Sequence, residues 1–452
     1  MKRISFLFGA LIIVGAIALT GCSKPTGCTD PAADNYDPDA EEDCCCSYSN
    51  ANENVVISGA ITSNTTWTAD NVYELAGKVV VEAGATLTIN PGTIVKGRTG
   101  TGSLASALVV ARGGRLEAEG TADAPIIFTS TLDDIEVGQK TGTNLTELDN
   151  GKWGGLIVLG YAPVSAENGD DVAQIEGIPA DETFGAYGGN DINDDSGIMT
   201  YISIRHGGSL IGEGNEINGL TLGGVGKGTE IHHVEVVGNL DDGVECFGGS
   251  VDISDVIVLF QGDDGIDFDQ NYSGTIDNFL VMHGVDTDEA LEIDGPEGTA
   301  TDGRFTLSNG TIMTTDGVGS AADLKSGAQG TLDNITFWGY AEDKCIKLRH
   351  SFQEDCTTDK RDAYMNFLTP DGDQELVVTN CEYEGVDAAF VTDVYTKSTD
   401  ANEDTCPLPD SYLTDAEAAM GATGTFDAAA PTIGADLAEF DNWSWSSIND
   451  KY

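Results

Sequence analysis

The chain has 452 residues and an extreme charge balance, with 21 basic and 76 acidic side chains and a formal net charge of −55. Such a surface repels nucleic acids and anionic membrane surfaces, so both are excluded as partners. With 40% hydrophobic residues and 57 glycines against 12 prolines, the composition predicts a large, β-rich core and not a disordered chain.

The first 21 residues predict an exported protein. A basic start at Lys2 and Arg3 is followed by an apolar run over residues 4–19 and by the sequence LTGC, which ends at Cys22. This run is too short for a membrane span and has the form of a secretory signal. The LTGC sequence resembles the bacterial lipobox, which implies cleavage after residue 21 and lipidation of Cys22. Ser23 then favours the outer membrane of a Gram-negative cell, so we expect a lipid-anchored protein of the cell envelope.

Ten cysteines fit the oxidising compartment that export predicts. Residues 22–52 form a tether in which Cys28 and the cysteines at 44–46 enclose an acidic stretch. It resembles a short cysteine-flanked repeat of exported proteins from Bacteroidetes-type bacteria, and we interpret it as a disulfide-closed spacer. The alternative is a calcium site formed by Asp34, Asp37, Asp39 and Glu41. Two disulfides, in any of three connectivities, are possible among Cys345, Cys356, Cys381 and Cys406.

Strand and turn signals dominate the rest of the chain. Residues 53–165 contain short β-branched runs separated by Ala-Gly, Pro-Gly and Gly-Gly turns, without helical periodicity. Two acidic loops, 131–150 and 166–198, are interpreted as insertions that leave the scaffold. Residues 407–452 are expected to form a C-terminal cap, with a short helix at 414–420 and with Trp443 and Trp445 over the open end of the core.

An internal repeat between residues 199 and 406 carries the fold prediction. Apolar residues recur at the first, fourth and sixth positions of a short segment, and the steps from Ile231 to Ile253 and on to Ile276 are 22 and 23 residues. A period of about 22 residues with two or three short strands is typical of an all-β, right-handed parallel β-helix, because stacked turns create one continuous apolar column. The segments begin at Met199, Ile217, Ile231, Ile253, Ile276, Leu307, Leu332 and Val378.

A second repeated track carries carboxylates, as in DDGVECFGG at 241–249 and DDGIDFDQN at 263–271. Alternation along a strand makes Cys246 a buried thiol and directs one side chain per turn outward, namely Glu245, Asp267, Glu292 and Lys347. Carboxylates stacked about 4.8 Å apart repel one another and need counter-ions. The track therefore predicts a calcium-binding ladder of Asp242, Glu245, Asp264, Asp267, Asp269, Glu289, Glu292 and Asp294. The alternative is that these residues accept backbone hydrogen bonds in Asp-Gly turns.

Three short sequences suggest a family: GKWGG at 151–155, the DDG and FGG sequences of the carboxylate track, and NWSW at 442–445. With them, the chain from about residue 150 to its end resembles a widespread, largely uncharacterised family of Bacteroidetes surface lipoproteins with pectin-lyase-like β-helices. The resemblance implies the β-helix fold and carries no established activity.

The order of four shorter segments resembles the motifs of polygalacturonases. These segments are NLD ending at Asp241, GDD ending at Asp264, HG at His283 and IK ending at Lys347. The resemblance implies that Asp241, Asp263 and Asp264 act as acid and base, and that His283 and Lys347 serve substrate binding and catalysis. A calcium-dependent lyase would instead need a basic residue as proton abstractor, for which Lys325 and Lys347 are candidates.

Three functions follow from these features. We favour a non-catalytic protein that binds glycans or matrix, or mediates adhesion, with calcium in its acidic ladder. The second is a polysaccharide-degrading hydrolase or lyase, and the third is a structural spacer of the envelope. An aromatic cleft wall beside Glu245 and Asp267 would favour carbohydrate contact, whereas an unpocketed ladder would favour the spacer.

Overall fold

The computed structural model describes residues 26–29, 36–43, 54–179, 182–211, 216–314, 319–341, 344–353, 355–369, 375–386, 389–391, 406–420, 424–428 and 430–452. The chain divides into two compact units, Met1–Ala51 and Asn52–Tyr452. In the first unit, strand β1 (Thr26–Gly27) pairs in parallel with β2 (Glu42–Asp43), and Cys28 is disulfide-bonded. The predicted signal, the lipidation site Cys22 and Asp34 lie outside the described residues.

In the second unit, 24 strands form one parallel sheet that winds into a right-handed β-helix, which confirms the predicted fold class. The coil has three faces, called here faces A, B and C. Strands that lie on face A alone are β7 (Ile94–Gly97), β10 (Ile126–Ser130), β29 (Cys381–Glu384) and β30 (Gly424–Ala428). Face C alone contains β4 (Thr65–Trp67), β6 (Thr86–Ile89), β9 (Arg115–Glu119) and β28 (Leu376–Thr379).

Face B positions the candidate site. Its strands are β8 (Ala107–Val110), β11 (Leu156–Leu159), β15 (Leu220–Gly223), β17 (Val244–Phe247), β19 (Ile266–Asp269), β21 (Leu291–Ile293), β23 (Ala322–Leu324) and β25 (Ile346–Leu348). Two long strands run from face A into face B, β3 (Asn54–Ile61) and β5 (Val72–Val81). Six run from face C into face A: β14 (Gly197–Arg205), β16 (Glu230–Val237), β18 (Ile253–Leu259), β20 (Thr275–His283), β22 (Phe305–Thr314) and β24 (Gly330–Trp338).

The bend between faces C and A is made by one residue per turn with a left-handed backbone. The residues with positive φ at this corner are Tyr201, His233, Asp255, Asn278, Asn309, Asn334 and Asn380. Asparagine adopts this conformation more readily than most residues. The asparagine side chains at this corner also form hydrogen bonds between successive turns. Asn334 Nδ2 donates to Asn309 Oδ1 at 2.6 Å, and Asn278 Nδ2 donates to Asp255 Oδ1 at 2.7 Å. The corner residue is the third position of the repeat. It therefore explains why two residues separate the first apolar position from the second.

The repeat fills the interior of the coil as predicted. Ile253 pairs with Ile231 and Ile276, and Val234, Val256 and Phe279 stack on successive turns. All of these side chains are buried in one continuous core. The segment beginning at Ile217 was assigned wrongly, however. Its Leu220 pairs with Leu156 and Val244 on face B, while Ile217 packs outside the coil in a separate cluster.

The cysteines of the second unit have two distinct environments. Cys356 and Cys406 form a disulfide, whereas Cys345 and Cys381 are buried thiols that donate hydrogen bonds to backbone carbonyl oxygens. Among the described cysteines of this unit, one of the two disulfides that the sequence allowed is thus formed. Cys246 lies inside the coil with 0% exposure, between Leu222 and Phe268 in the register of face B, and burial raises the pKa of its thiol.

We expect Cys246 to resist thiol reagents until the coil unfolds, because the thiol is enclosed and its reactive thiolate is disfavoured. Alkylation of native, lipid-free protein, followed by mass spectrometry of the peptide that contains Cys246, should show modification only after denaturant is added. A variant with Thr101→Cys at an exposed position serves as the reactive control. Rapid modification of Cys246 in the native protein would contradict the inward orientation.

Helices and antiparallel hairpins lie outside the coil. Helix α1 (Ala363–Leu368) and helix α2 (Tyr412–Met420) contribute buried side chains to the main core. Two small hairpins are formed by β12 (Ala173–Gln174) with β13 (Ala186–Tyr187), and by β26 (Ser351–Phe352) with β27 (Asp359–Lys360). Within the described residues, no helix combines the length and apolar character needed to cross a membrane.

The C-terminal segment 430–452 packs along the outer surface of face A. Phe440 and Trp443 cover Ile257, Leu280 and their neighbours in a separate apolar cluster. Glu235 fixes the short helix α3 (Trp445–Ile448), since its carboxylate accepts the backbone N–H groups of residues 445 and 446, both at 2.8 Å. The prediction that Trp443 and Trp445 lie over the open end of the core is therefore wrong. The segment covers an apolar row on the side of the coil.

Candidate metal site in a buried acidic ladder

One outward-pointing residue per turn of face B forms a column of carboxylates, called here the acidic ladder: Glu245, Asp267, Glu292 and Asp323. The register pairs Glu245 with Asp267 and Asp267 with Glu292. It then pairs Glu292 with Asp323, and Lys347 follows on the next turn. Because neighbouring strands lie about 4.8 Å apart, like charges meet on successive turns. The stacking that the sequence predicted is present, and Asp323 is an additional member.

A second column lies beside the acidic ladder, at the turns that lead into face B. Asn218 Oδ1 accepts the backbone N–H of Asp242 at 3.3 Å, and Asp242 Oδ1 accepts that of Asp264 at 2.8 Å. Asp264 Oδ1 accepts the backbone N–H of Glu289 at 2.7 Å, and the Ser320 hydroxyl donates to Glu289 Oε1 at 2.8 Å. Asn218, Asp242 and Asp264 therefore each cap a turn through one side-chain oxygen, which was the alternative interpretation of the carboxylate track.

The loop between β11 and β14 covers the first turns of the acidic ladder. We call residues 165–196 the insertion. Glu245 and Asp267 point away from the coil interior but are only 5% and 7% exposed. From the insertion, the Tyr187 hydroxyl donates to Gln270 Oε1 at 2.9 Å, and the Tyr187 ring lies 5.9 Å from that of Phe247. Tyr187 is itself buried, so it offers no exposed aromatic wall, and the ladder is not a solvated face at these turns.

Three carboxylates converge under the insertion: Asp242, Glu245 and Asp267. Their oxygens lie within 4.8 Å of one another. Burial, followed by the charges of neighbouring carboxylates, raises the pKa of each well above the ordinary range. Glu245 accepts a hydrogen bond from Asn218 Nδ2, whereas Asp267 Oδ1 is buried without a hydrogen-bond partner among the described residues. A buried carboxylate oxygen without a donor is costly, so this donor set fits a hard cation such as calcium.

A second group of carboxylates on later turns already has basic partners. It consists of Asp264, Glu289 and Glu292, again with oxygens within 4.8 Å of one another. Lys325 pairs with Glu292 and lies 3.2 Å from Asp294, and Lys347 pairs with Glu289. Burial lowers the pKa of Lys325, but the carboxylates of Asp294 and Glu292 outweigh it and raise the pKa. The predicted calcium ligands therefore divide into a group with lysine partners and the group of Asp242, Glu245 and Asp267.

The remaining predicted calcium ligand, Asp269, ends strand β19. Burial, then the charges of Asp294 and Glu297, raises the pKa of its carboxyl group to about 8. Asp269 therefore holds a proton near neutral pH in the calcium-free protein, in contrast to an ordinary aspartate.

The predicted acid and base residues lie at the rim of the acidic ladder. Asp263 is exposed, Asp241 is half-buried, and their carboxylate oxygens lie within 4.8 Å of each other and of Asp242. Burial, then the charges of Glu176, Asp263 and Glu216, raises the pKa of Asp241 to about 7. Such a group can donate a proton near neutral pH. An inverting hydrolase holds its two carboxyl groups roughly 6.5–9.5 Å apart so that a water molecule fits between them, whereas oxygens of Asp241 and Asp263 approach within 4.8 Å.

The other two residues of the predicted catalytic set are differently placed. His283 is fully buried, with its ring against that of Tyr340 at 5.4 Å between centroids. Lys347 is held by its ion pair with Glu289. The structure thus gathers the predicted aspartates, while His283 lies where a polysaccharide cannot reach it.

Comparison with known families agrees with this architecture. Residues 59–424 match the family described as a pectate-lyase-like beta helix domain. The chain belongs to this family. No curated protein and no solved structure gives a significant match. Membership of the pectate-lyase-like β-helix family accounts for the coil, and the ligand has to be inferred from the site itself.

Four residues of the site in this pectate-lyase-like β-helix were missed by the sequence prediction: Glu176, Glu216, Asn218 and Asp323. A signal for two of them exists, because NGLTL at 218–222 aligns with DGVEC at 242–246, and SAADL at 320–324 aligns with EALEI at 289–293. The residues Glu176 and Glu216 lie in loops outside the repeat register. No periodic pattern could therefore place them beside the ladder.

Proposed function

We propose that this β-helix is a lipid-anchored protein of the cell envelope that binds glycans or matrix without catalysis and holds calcium in its acidic ladder. The observation that carries the calcium site is Asp267 Oδ1, which is buried without a hydrogen-bond partner in the described part of the chain, beside Asp242 and Glu245. Calcium prefers carboxylate oxygens and accepts roughly six to eight of them in flexible geometry. One bound cation would replace the hydration that these three carboxylates have lost.

The predicted export signal and lipidation at Cys22 support a location at the envelope. Calcium modules outside the cell bind with dissociation constants on the order of 10⁻⁴–10⁻³ M. A site with three carboxylates that form no ion pair with a lysine among the described residues falls within the chemistry of such modules. The same ladder in a calcium-poor compartment would have to be neutralised by protons instead.

The rim of the ladder supports the glycan part of the proposal. Asp263 and Asp288 are exposed, Asp241 is half-buried, and one of them occurs on each successive turn. Leu240, 37% exposed, lies next to this row. A sugar chain that runs along the coil axis would therefore meet one carboxylate per turn, either directly through its hydroxyl groups or through a bridging calcium ion.

The test is to incubate the lipid-free protein with a panel of neutral and acidic polysaccharides, with and without calcium. Binding and the appearance of new reducing or unsaturated chain ends are scored in the same samples. We expect calcium-dependent retention of at least one polysaccharide without new ends, and weaker retention by the Asp263→Asn, Asp288→Asn double variant. Failure to retain any polysaccharide would overturn glycan binding and favour the structural spacer.

A polysaccharide hydrolase is the second candidate, and one observation favours it. The pKa of Asp241 is raised to about 7 beside the exposed carboxylate of Asp263, which suits a proton donor near neutral pH. New reducing ends that disappear in Asp241→Asn, while binding is kept, would establish this activity. They would also contradict the non-catalytic proposal.

A further inference from the structure

The acidic ladder supplies ligands from one side only. Glu245 and Asp267 project from neighbouring strands of face B, and Asp242 stands at the turn beside them. Side chains on one surface of a sheet point in a common direction, so these three reach a cation from the same hemisphere. Calcium needs oxygens around it. The insertion packs on face B beside these residues.

The insertion places a carboxylate at this position, that of Glu176. Asn218 joins it to Glu245, because Asn218 Nδ2 donates to Glu176 Oε1 at 3.4 Å and also to Glu245 Oε2. One amide nitrogen thus holds the two carboxyl groups side by side. When both are ionised they repel each other, and a cation between them relieves this repulsion.

Apolar packing sets the position of the insertion over face B. Ile175 and Ile178 are buried in a cluster with Val80, Ile157 and Phe247. This packing and the polar contact of Tyr187 with Gln270 hold the two surfaces together. Its sequence neighbours thus hold Glu176 beside the ladder, where Asn218 bridges it to Glu245. The negative charge of Glu176 opposes the docking that these apolar neighbours favour.

We propose that Glu176 is a fourth carboxylate ligand of the ladder cation, so that calcium binding fixes the insertion on face B and calcium removal releases it. This inference rests on the proposed calcium site and adds a ligand from a separate segment of the chain. A divalent cation between Glu176 and Glu245 converts their repulsion into two attractive contacts. Without the cation, the insertion opens more often and uncovers the apolar outer row of face B around Ile157 and Phe247.

The experiment measures calcium affinity by titration calorimetry and insertion mobility by hydrogen exchange, on the same lipid-free protein. Peptides from residues 165–179 and 182–196 report the insertion, and peptides from strands β17 and β19 report the coil. The variant is Glu176→Gln, which keeps the size of the side chain. The matched control is Asp170→Asn, which removes one charge from an exposed position of the insertion. We expect calcium to slow exchange in the insertion at least tenfold in the wild-type protein.

For Glu176→Gln, we expect calcium affinity to fall at least tenfold and the protection of the insertion by calcium to be lost, with the coil peptides unchanged. Asp170→Asn should match the wild type in both measurements. Calcium uptake by the wild type without slower exchange in the insertion overturns this inference alone, as does wild-type affinity and protection in Glu176→Gln. Absence of calcium uptake by the wild type overturns the proposed ladder site and this inference with it.

Discussion

Calcium is expected to stabilise the folded chain by about 2.7 kcal/mol at a concentration one hundred times its dissociation constant, because a cation that binds only the folded state acts by mass action. The melting temperature should therefore rise by several degrees more in calcium than in sodium chloride of equal ionic strength. Asp267→Asn is expected to abolish most of this rise. In calcium-free buffer the same variant should be more stable than the wild type near neutral pH, because the buried carboxyl group of Asp267 must take up a proton when the chain folds, whereas a carboxamide is neutral in both states.

Asp323→Asn is the matched control within the acidic ladder. Asp323 Oδ1 accepts a hydrogen bond from Arg349 Nε at 2.7 Å in an ion pair. Its removal should lower the melting temperature by the same amount with and without calcium, since one charge of a buried pair is left uncompensated. If Asp267→Asn is also less stable in calcium-free buffer, Asp267 serves the backbone as a cap. If calcium raises the melting temperature no more than sodium chloride does, the carboxylates of the acidic ladder are neutralised by protons and lysines alone.

The fold was predictable because one spacing encodes both the strands and the bend between them. Ile253, Val256 and Val258 all point into the coil, and the two-residue gap after Ile253 contains the left-handed corner at Asp255. Burial of stacked apolar residues favours only that register, since a shift by one residue would turn every side chain to the other surface. The sequence periodicity therefore determined the interior of the coil.

The same spacing led to a wrong assignment of the segment at Ile217. A strand of face B can show, by coincidence, the apolar spacing of the strands that run from face C into face A. Pairing of Leu220 with Val244 is a long-range property, and the alternation of apolar residues is identical in both arrangements. A glycine directly precedes the consecutive face B strands β15, β17 and β19, and it separates the two cases here. Gly219, Gly243 and Gly265 lie at equivalent positions, and each supports a tight approach between consecutive turns.

The outer surface was less predictable than the interior. Alternation showed that Glu245 and Asp267 point outward, but their burial depends on the insertion, whose path follows no repeat. Ile175 and Tyr187 pack on face B only because apolar residues lie on its outer surface. The lysines that neutralise the later turns were visible in the sequence, yet their pairing with Glu289 and Glu292 required the register. Consequently the sequence predicted the stacked carboxylates. It did not predict that some of them pair with lysines while Asp242, Glu245 and Asp267 form a separate group.

This division gives the calcium-free protein a distinctive dependence on pH. The pKa values of Asp242, Glu245 and Asp267 are raised by burial, and those of Asp241 and Asp269 are raised to about 7 and about 8. The folded chain then keeps protons that the unfolded chain releases above about pH 4. Stability falls with pH wherever the folded state binds more protons. This contribution is therefore fully present below about pH 4 and is lost as pH rises through the folded-state values.

Without calcium, the free energy of unfolding is expected to fall by several kcal/mol between pH 5 and pH 8, since each pKa unit corresponds to about 1.4 kcal/mol. Denaturant titrations at several pH values in a chelating buffer measure it. Asp241→Asn with Asp269→Asn should make the profile shallower, because a carboxamide is neutral over the whole range, whereas Asp170→Asn should follow the wild type. Saturating calcium should remove the contribution of the ladder to this slope, because the metal binds the deprotonated carboxylates, and the folded chain then holds no more protons there than the unfolded chain between pH 5 and pH 8. A profile that rises from pH 5 to pH 8 in the absence of calcium would mean that these carboxylates are ionised and already neutralised by basic groups, and a cation would then have no place among them.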